Sequence, residues 1–502
     1  ISKTENSTII TSKHPQNLDE VLVFFAIDRA DAISGLVRKL PHYGKYSYLA
    51  FEGEEPTNVV KGQWDVLDSP LVRKNNTLGK DIKMSNTTPD AAVNDFYTRN
   101  ALAKLKPVFS SDRIMKDVEY LASEELKGRG LGTPELDKAA EYIATEFEKA
   151  GLLPGEIANY KLSYFQTWTT DIAGKGNVKL MNVVGAIEGD EKYANEPVVI
   201  SAHYDHLGTG WPDAHRGDAG KIHYGADDNA SGVAIMLELA RHLKKNVFPL
   251  RPIIFVAFTG EEAGLLGSKH FVDLLIRRGI TPFANINFDT NGRLFDKPLL
   301  ILNGNTAREW KFIFMGTEYV TGVKTELVQQ QIDASDQVSF NAKGIPAVQF
   351  FSGANHDYHR PSDVIEKLDP NGMVKIAMVA KEVIQYLGER TDPMPYTGEN
   401  IKANETKKGT APKKERKAST GSMPDFGYSG EGVRIAAVSE GSPGAKAGLI
   451  EGDIILSFDG QAVKNLREYS DELKKRQPGD KVILEVLRGD KKIKKEIILG
   501  ER

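Results

Sequence analysis

The stretch Pro197-Val-Val-Ile-Ser-Ala-His-Tyr-Asp-His-Leu-Gly208 decides the reading of this chain. Residues 197–202 form a short apolar run bounded by polar chain, which suits a buried strand. The run ends on side chains that bind metals. His203 and Asp205 are two apart at the strand end, so they project to one side. Asp205 can then accept the imidazole N–H that a metal on His203 leaves unused.

Outward from this stretch, strand-like and helical patterns alternate. Strands are expected at 183–187, 197–202, 252–258, 283–288, 299–302 and 347–351. Helices are expected at 111–123, 136–150, 231–245, 268–278, 308–320 and 371–387, with Gly151 closing the second. Such alternation implies an α/β fold: a mostly parallel sheet sandwiched by helices, with functional residues at the carboxyl ends of the strands.

Four further segments place metal-binding side chains at strand ends or loops of the same region. Gly225-Ala-Asp-Asp-Asn-Ala-Ser-Gly232 leads into a helix that Ser231 or Asn229 can cap, and two successive aspartates exceed what capping needs. Phe258-Thr-Gly-Glu-Glu-Ala-Gly264 follows an apolar strand; Gly260 and Gly264 supply a turn on which both glutamates can face one cavity, one binding metal and the other handling protons. Asp289 ends the strand-like Asn287-Phe-Asp289, and a carboxylate at a buried strand tip is expensive unless a cation is near. His359 lies in His356-Asp-Tyr-His-Arg-Pro-Ser-Asp363, where Asp363 can support it.

Each segment alone has an ordinary explanation: a structural histidine, a capping aspartate, a solvated Glu-Glu pair, a turn aspartate, an exposed loop histidine. In the order His, Asp, Glu, Asp, His, within one α/β region, they read as a two-zinc hydrolase site. The chain has no cysteine, so zinc would rest on imidazole and carboxylate. His206, His215 and His223 sit nearby in a loop and are read as rim residues without zinc. His14 and His42 are isolated and carry no chemistry.

Bulk properties narrow the function classes. With 502 residues, 40% of them hydrophobic, two to four domains are expected. Lys plus Arg (65) nearly balances Asp plus Glu (69), and the net charge of −4 offers no general field for nucleic acid or anionic membrane. The longest apolar runs fall far short of the ~20 residues of a membrane-spanning helix. Ile1 follows no Met or signal-peptide pattern, so the chain is expected to be a mature form or a fragment with its targeting information upstream.

Residues 1–105 read as a small α/β segment of unknown role, with strand-like runs at 21–27 and 46–51 around a helical stretch at 30–40. Residues 106–390 hold the metal-site region. Residues 391–422, rich in Lys, Thr, Gly and Pro, read as a flexible linker. Residues 423–502 show short strands at 433–438, 454–458, 481–488 and 493–499 around helices at 444–447 and 466–476.

On these motifs, with Gly128-Arg-Gly-Leu-Gly-Thr133, Ser335-Asp-Gln-Val-Ser-Phe340 and Gly344-Ile-Pro346, residues 110–390 resemble the bacterial double-zinc aminopeptidases, peptidase family twenty-eight. More distant relatives of that family are glutamate carboxypeptidase and glutaminyl cyclase. The resemblance implies a zinc-exopeptidase fold and two zinc ions per chain on His203, Asp228, Glu262, Asp289 and His359, with Asp228 bridging. It also implies Glu261 as general base, Asp205 as orienting residue, Tyr358 as oxyanion stabiliser and a cis peptide after Asp228. The expected reaction is removal of N-terminal residues from peptides by a secreted or periplasmic enzyme. A carboxypeptidase or a single-zinc glutaminyl cyclase is the alternative on this scaffold.

The C-terminal region resembles a PDZ domain of the bacterial arrangement through Gly430-Glu-Gly-Val-Arg-Ile435, Gly441-Ser-Pro-Gly-Ala-Lys-Ala-Gly-Leu449 and Gly452-Asp-Ile-Ile-Leu-Ser-Phe-Asp-Gly460. That resemblance implies capture of a peptide or protein C-terminus by strand addition. Gly421-Ser-Met-Pro-Asp425 departs from the usual carboxylate-binding loop, which leaves a docking or spacer role open. A third reading is a binding protein built on the PDZ domain with an inactive peptidase scaffold; the intact ligand set and Glu261 argue against it.

Overall fold

The computed structural model describes residues 6–13, 21–43, 46–54, 56–62, 108–158, 161–215, 217–332, 335–398, 417–428 and 430–501. Contacts divide the chain into two units, Ile1–Tyr97 and Thr98–Arg502. His14 lies outside the described residues.

The first unit is a four-stranded antiparallel sheet. Its strands β1 (Asn6–Lys13), β2 (Val21–Ala26), β3 (Tyr48–Glu52) and β4 (Thr57–Gly62) run in the order β2-β1-β3-β4, with helix α1 (Ala32–Lys39) between β2 and β3 in sequence. Ile9, Ala32, Leu36, Leu49 and Phe51 form its small core. The edge strand β2 is exposed along its whole length.

In the second unit, helices α2 (Ser111–Leu121) and α3 (Pro134–Ala150) precede the main sheet. α3 shows why the sequence starts and stops where it does. Thr133 accepts from the Leu136 N–H, Pro134 opens the first turn, and Gly151 ends the helix at φ 83°. Its buried face is Leu136, Ala139, Ala140, Ile143, Ala144 and Phe147, the spacing of one helical stripe.

The sheet strands are β5 (Leu153–Pro154), β8 (Phe165–Ile172), β9 (Gly176–Ile187), β10 (Val198–His203), β11 (Ile253–Phe258), β12 (Ala284–Phe288), β13 (Leu299–Leu302), β14 (Thr325–Leu327) and β15 (Ala347–Phe351). A small hairpin, β6 (Glu156–Ala158) and β7 (Lys161–Ser163), stands apart from them. The order is β14-β13-β15-β12-β10-β11-β9-β5, with β8 on β9. The sheet is mixed rather than mostly parallel. β15, β12, β10 and β11 form a parallel centre, while β9 and β13 join it antiparallel. β10, β12 and β15 are buried at every residue, as strands covered on both faces must be.

Helices α4 (Gly232–Asn246), α5 (Leu266–Arg277), α6 (Glu309–Thr321), α7 (Gln337–Asn341) and α8 (Pro370–Glu389) complete the layers. α4 is buried on all sides from Gly232 to Ala240. Among the described residues no helix is long and apolar enough to cross a membrane.

Within the linker expected at 391–422, residues 399–416 lie outside the described residues, and strand already begins at β16 (Ala418–Ser419). β17 (Ser422–Pro424), β18 (Val433–Val438), β19 (Ile454–Phe458), β20 (Gln461–Ala462), β21 (Lys481–Arg488) and β22 (Lys491–Ile498) make the C-terminal sheet, and β23 (Gly500–Glu501) pairs with β16. Helices α9 (Pro443–Lys446) and α10 (Leu466–Lys474) pack beside it. At the departing loop, the Gly421 N–H is taken by Ser419 Oγ at 3.0 Å and the Ser422 N–H by Thr420 Oγ1 at 3.4 Å. Pro424 on the edge strand β17 has no N–H to give. Where this domain meets the sheet, Phe426 lies edge-on to Phe351 at the end of β15, ring centroids 5.3 Å apart, against Leu302 and Val328.

Candidate metal centre

The carboxyl ends of the parallel strands converge on one cavity. His203 is the last residue of β10, Asp289 follows β12, Glu261 and Glu262 lie on the turn after β11, and His359 lies in the loop after β15. Asp228 comes from the irregular turn Ala226–Ser231 that enters α4, and its peptide bond to Asn229 is cis. Asn229 caps the helix through Gly232 N–H to Oδ1 at 3.2 Å, and its Nδ2 donates to Phe288 O at 2.8 Å, tying the Asp228 turn to the end of β12.

All five expected ligands meet. His203 Nε2 lies 3.3 Å from Asp228 Oδ1 and 3.5 Å from Asp289 Oδ1. His359 Nε2 lies 3.3 Å from Asp228 Oδ2 and 3.2 Å from Glu262 Oε2. The two imidazoles thus face the two oxygens of one carboxylate. Both Nε2 atoms are buried and make no hydrogen bond. Nitrogen and oxygen donors without sulfur suit zinc, and the set His203, Asp228 and Asp289 clusters within one ion's reach.

The glutamate turn forms as the glycines require, with Gly260 at φ 70° and Gly264 at φ 103°, and the Gly264 and Leu265 N–H groups returning to Glu261 O. Tyr358 stacks on the His359 ring, centroids 3.9 Å apart and planes 19° apart, and is 43% exposed.

The supporting partners differ from expectation in two places. His203 Nδ1 donates to the backbone carbonyl of Asp205 at 3.1 Å, while the Asp205 carboxylate stands 3.9 Å away and accepts from the Glu261 N–H at 3.2 Å. The chain turns just past the strand end, so Asp205 serves His203 through its backbone and Glu261 through its side chain. Asp363 does not touch His359. It accepts from the N–H groups of Asp227 and Asp228, each at 3.0 Å, and from Arg293 Nη2 at 2.8 Å. The partner of His359 Nδ1 is Asp213 Oδ2 at 3.2 Å, from the loop after Trp211.

His206 lies deeper than a rim residue. It is 1% exposed, and Nδ1 donates to Glu262 Oε1 at 2.8 Å, which places it in a second His–carboxylate cluster with Asp228 and Glu262. His215 Nε2 lies 3.2 Å from Tyr358 O, and His223 is buried with Nδ1 on Lys221 O.

The side chains of the centre are buried together, and their charges act strongly on one another. Burial alone would lower the basicity of His203 and His359. Asp289 and Asp228 around the first, and Glu262 and Asp228 around the second, reverse this and raise both well above the ordinary histidine range. Burial, reinforced by neighbouring carboxylates and opposed by His203, pushes Glu261 well above the usual carboxylate range. Burial likewise raises Asp205 to about 7.

Residues 182–384 match peptidase family M28, and residues 405–499 match the PDZ domain. Aminopeptidase YwaD of Bacillus subtilis is 30% identical over 253 residues, 48% of this chain and 49% of that protein. The chain therefore spans about half the length of that relative. A protein of Leptosphaeria maculans named probable zinc metalloprotease is 32% identical over 180 residues, 36% of this chain and 40% of that one. Among solved structures, the LapA aminopeptidase of Legionella pneumophila aligns with a TM-score of 0.46 and 22% identity, over 57% of this chain and 73% of that one.

Proposed function

We propose that this chain, whose residues 182–384 are a peptidase family M28 domain, is an aminopeptidase that works with two Zn²⁺ ions and removes N-terminal residues from peptides. The observation that carries the reading is the pair of buried, unpartnered nitrogens, His203 Nε2 and His359 Nε2, on opposite oxygens of Asp228 at 3.3 Å each. His203, Asp228 and Asp289 would hold one ion and Asp228, Glu262 and His359 the other. Bound zinc lowers the pKa of a coordinated water towards about 7 and polarises the scissile carbonyl.

The rest of the chemistry falls to the chain. Glu261, on the turn beside Glu262, takes the proton of the attacking water and passes it to the leaving amine. Asp205 holds the backbone of that glutamate through its N–H. Tyr358, fixed by stacking on His359, offers its hydroxyl to the oxygen on which negative charge develops. The carboxylates around the cavity attract a free α-ammonium group, which favours exopeptidase action at the N-terminus. A secreted or periplasmic location belongs to the same reading.

For the PDZ domain, the loop amides already paired at Gly421 and Ser422, with Pro424 on the open edge, favour docking over capture of a C-terminal carboxylate.

Metal analysis combined with a peptide panel tests the proposal. Two zinc ions per chain and release of the first residue from free peptides, with N-acetylated peptides turned over far more slowly, are expected. One zinc per chain, or equal turnover of blocked and free peptides, refutes it.

A further inference from the structure

Arg129 lies inside the Gly128-Arg-Gly segment, which contributes no metal ligand. Its side chain is fully buried, and among the described residues no carboxylate accepts from it. A buried arginine ordinarily pairs with an acid. Here four backbone carbonyls replace the acid. Nε donates to Tyr204 O at 2.9 Å, Nη1 to Tyr224 O at 2.9 Å and to Leu121 O, and Nη2 to Gly225 O at 2.9 Å.

Leu121 O closes α2, and the other three carbonyls belong to two turns of the centre. Tyr204 stands between His203 and Asp205, and Tyr224 with Gly225 leads into the Asp228 turn. The backbone repeats the link: the His206 N–H donates to Arg129 O at 3.1 Å and the Gly208 N–H to Gly128 O at 3.0 Å. Gly128 sits at φ 72°, and a Cβ there would come within 2.1 Å of His223 O, so the close approach depends on glycine. Arg129 itself is held at φ 49°.

Charge alone argues against a cation beside a site for two dications. What the guanidinium supplies is geometry: one rigid fork spans two separate turns that each carry a ligand of the centre. Its charge also offsets Asp228, Asp205, Asp363 and Glu262 while the site holds no cation, and it stays protonated at neutral pH even though burial lowers its pKa to about 10.

We propose that Arg129 is a positioning residue of the metal centre, its guanidinium holding the His203 turn and the Asp228 turn in fixed register so that their side chains can share cations. The inference rests on the two-zinc reading. Lysine, a point charge on a flexible stem, cannot reproduce the fork, so Arg129→Lys should fail as Arg129→Met does.

The test measures Zn²⁺ affinity of the full chain by chelator competition, the visible spectrum after Co²⁺ substitution, and the melting temperature of metal-free protein. Arg251→Met is the control, because Arg251 is equally buried but binds Glu196 and Arg390 O at the amino end of β10. Both Arg129 variants should bind Zn²⁺ about tenfold or more weakly and change the Co²⁺ spectrum, while Arg251→Met lowers only the melting temperature. If neither of these Arg129 variants folds, Arg129→Gln serves, because its side-chain amide keeps N–H donors in the pocket but cannot span both turns, and it should weaken Zn²⁺ binding several-fold.

Unchanged Zn²⁺ affinity in the folded Arg129→Met and Arg129→Lys variants, or in Arg129→Gln where those do not fold, overturns this inference alone. A wild-type chain that takes up no zinc overturns the two-zinc reading and this inference with it.

Discussion

Replacing Asp213 by alanine isolates one support of the centre. Asp213 binds no metal in the proposed arrangement, yet its Oδ2 is 3.2 Å from His359 Nδ1, where it fixes both the tautomer and the angle of the ring. Supports of this kind are worth about 10–100-fold in metal affinity, which is about 1.4–2.7 kcal/mol. The Asp213 side chain is 30% exposed, so water and salt weaken the contact and place the effect at the lower end, about tenfold. Titration of zinc against a chromophoric chelator should show the loss on the His359 side alone, because the His203 side takes its support from the Asp205 carbonyl. Asp213→Asn keeps an acceptor and should recover most of the affinity. Wild-type affinity at both positions in Asp213→Ala, with unchanged turnover, would refute the reasoning.

Three other substitutions have defined outcomes. Glu261→Gln should keep both zinc ions and lose about 10²–10⁴-fold in kcat, whereas Asp228→Ala should lose metal; a Glu261→Gln chain with full activity would remove the assigned base. In the C-terminal domain, Asp453 is fully buried and paired with Arg488 through bonds of 2.7 and 2.8 Å. Burial alone would raise its pKa, but the Arg488 guanidinium and the Ile450 N–H outweigh that and hold it below the ordinary value. A depressed carboxylate stabilises fully above its unfolded pKa of about 3.9 and loses that contribution as pH falls through the folded value. Because Arg488 is 33% exposed, Asp453→Asn should destabilise by only about 1–3 kcal/mol at pH 7. The gap from wild type in thermal melts should narrow below about pH 4, and a gap that is constant with pH would contradict the assignment.

The sheet centre was legible because strands covered on both faces are unbroken apolar runs, as in Ile253–Phe258 and Ala347–Phe351. β8 escaped because Thr, Gln and Asp alternate along an outer strand with one polar face. That omission made the sheet look more parallel than it is, since β8 and β9 form the antiparallel flank. The five residues proposed to hold zinc were legible as residue types at strand ends, a helix entry and a loop. Their supports were not: Asp213 and His359 are 146 residues apart, and nothing local marks the pair. His206 belongs to the same case. A regular strand would turn it away from His203, and only the bend after β10 brings it onto Glu262. Asp363 lies near the centre but on other partners than His359, because four residues of sequence separation do not say which donors a carboxylate will meet.

The aromatic pair Phe351–Phe426 bears on how the molecule can be dissected. Phe351 opens the segment that runs on to His359, so cutting the chain ahead of the C-terminal domain would bare a greasy patch at the root of the very loop that carries this proposed ligand. A chain shortened there would carry an altered surface at the base of that loop, and properties measured on it should not be transferred to the intact chain.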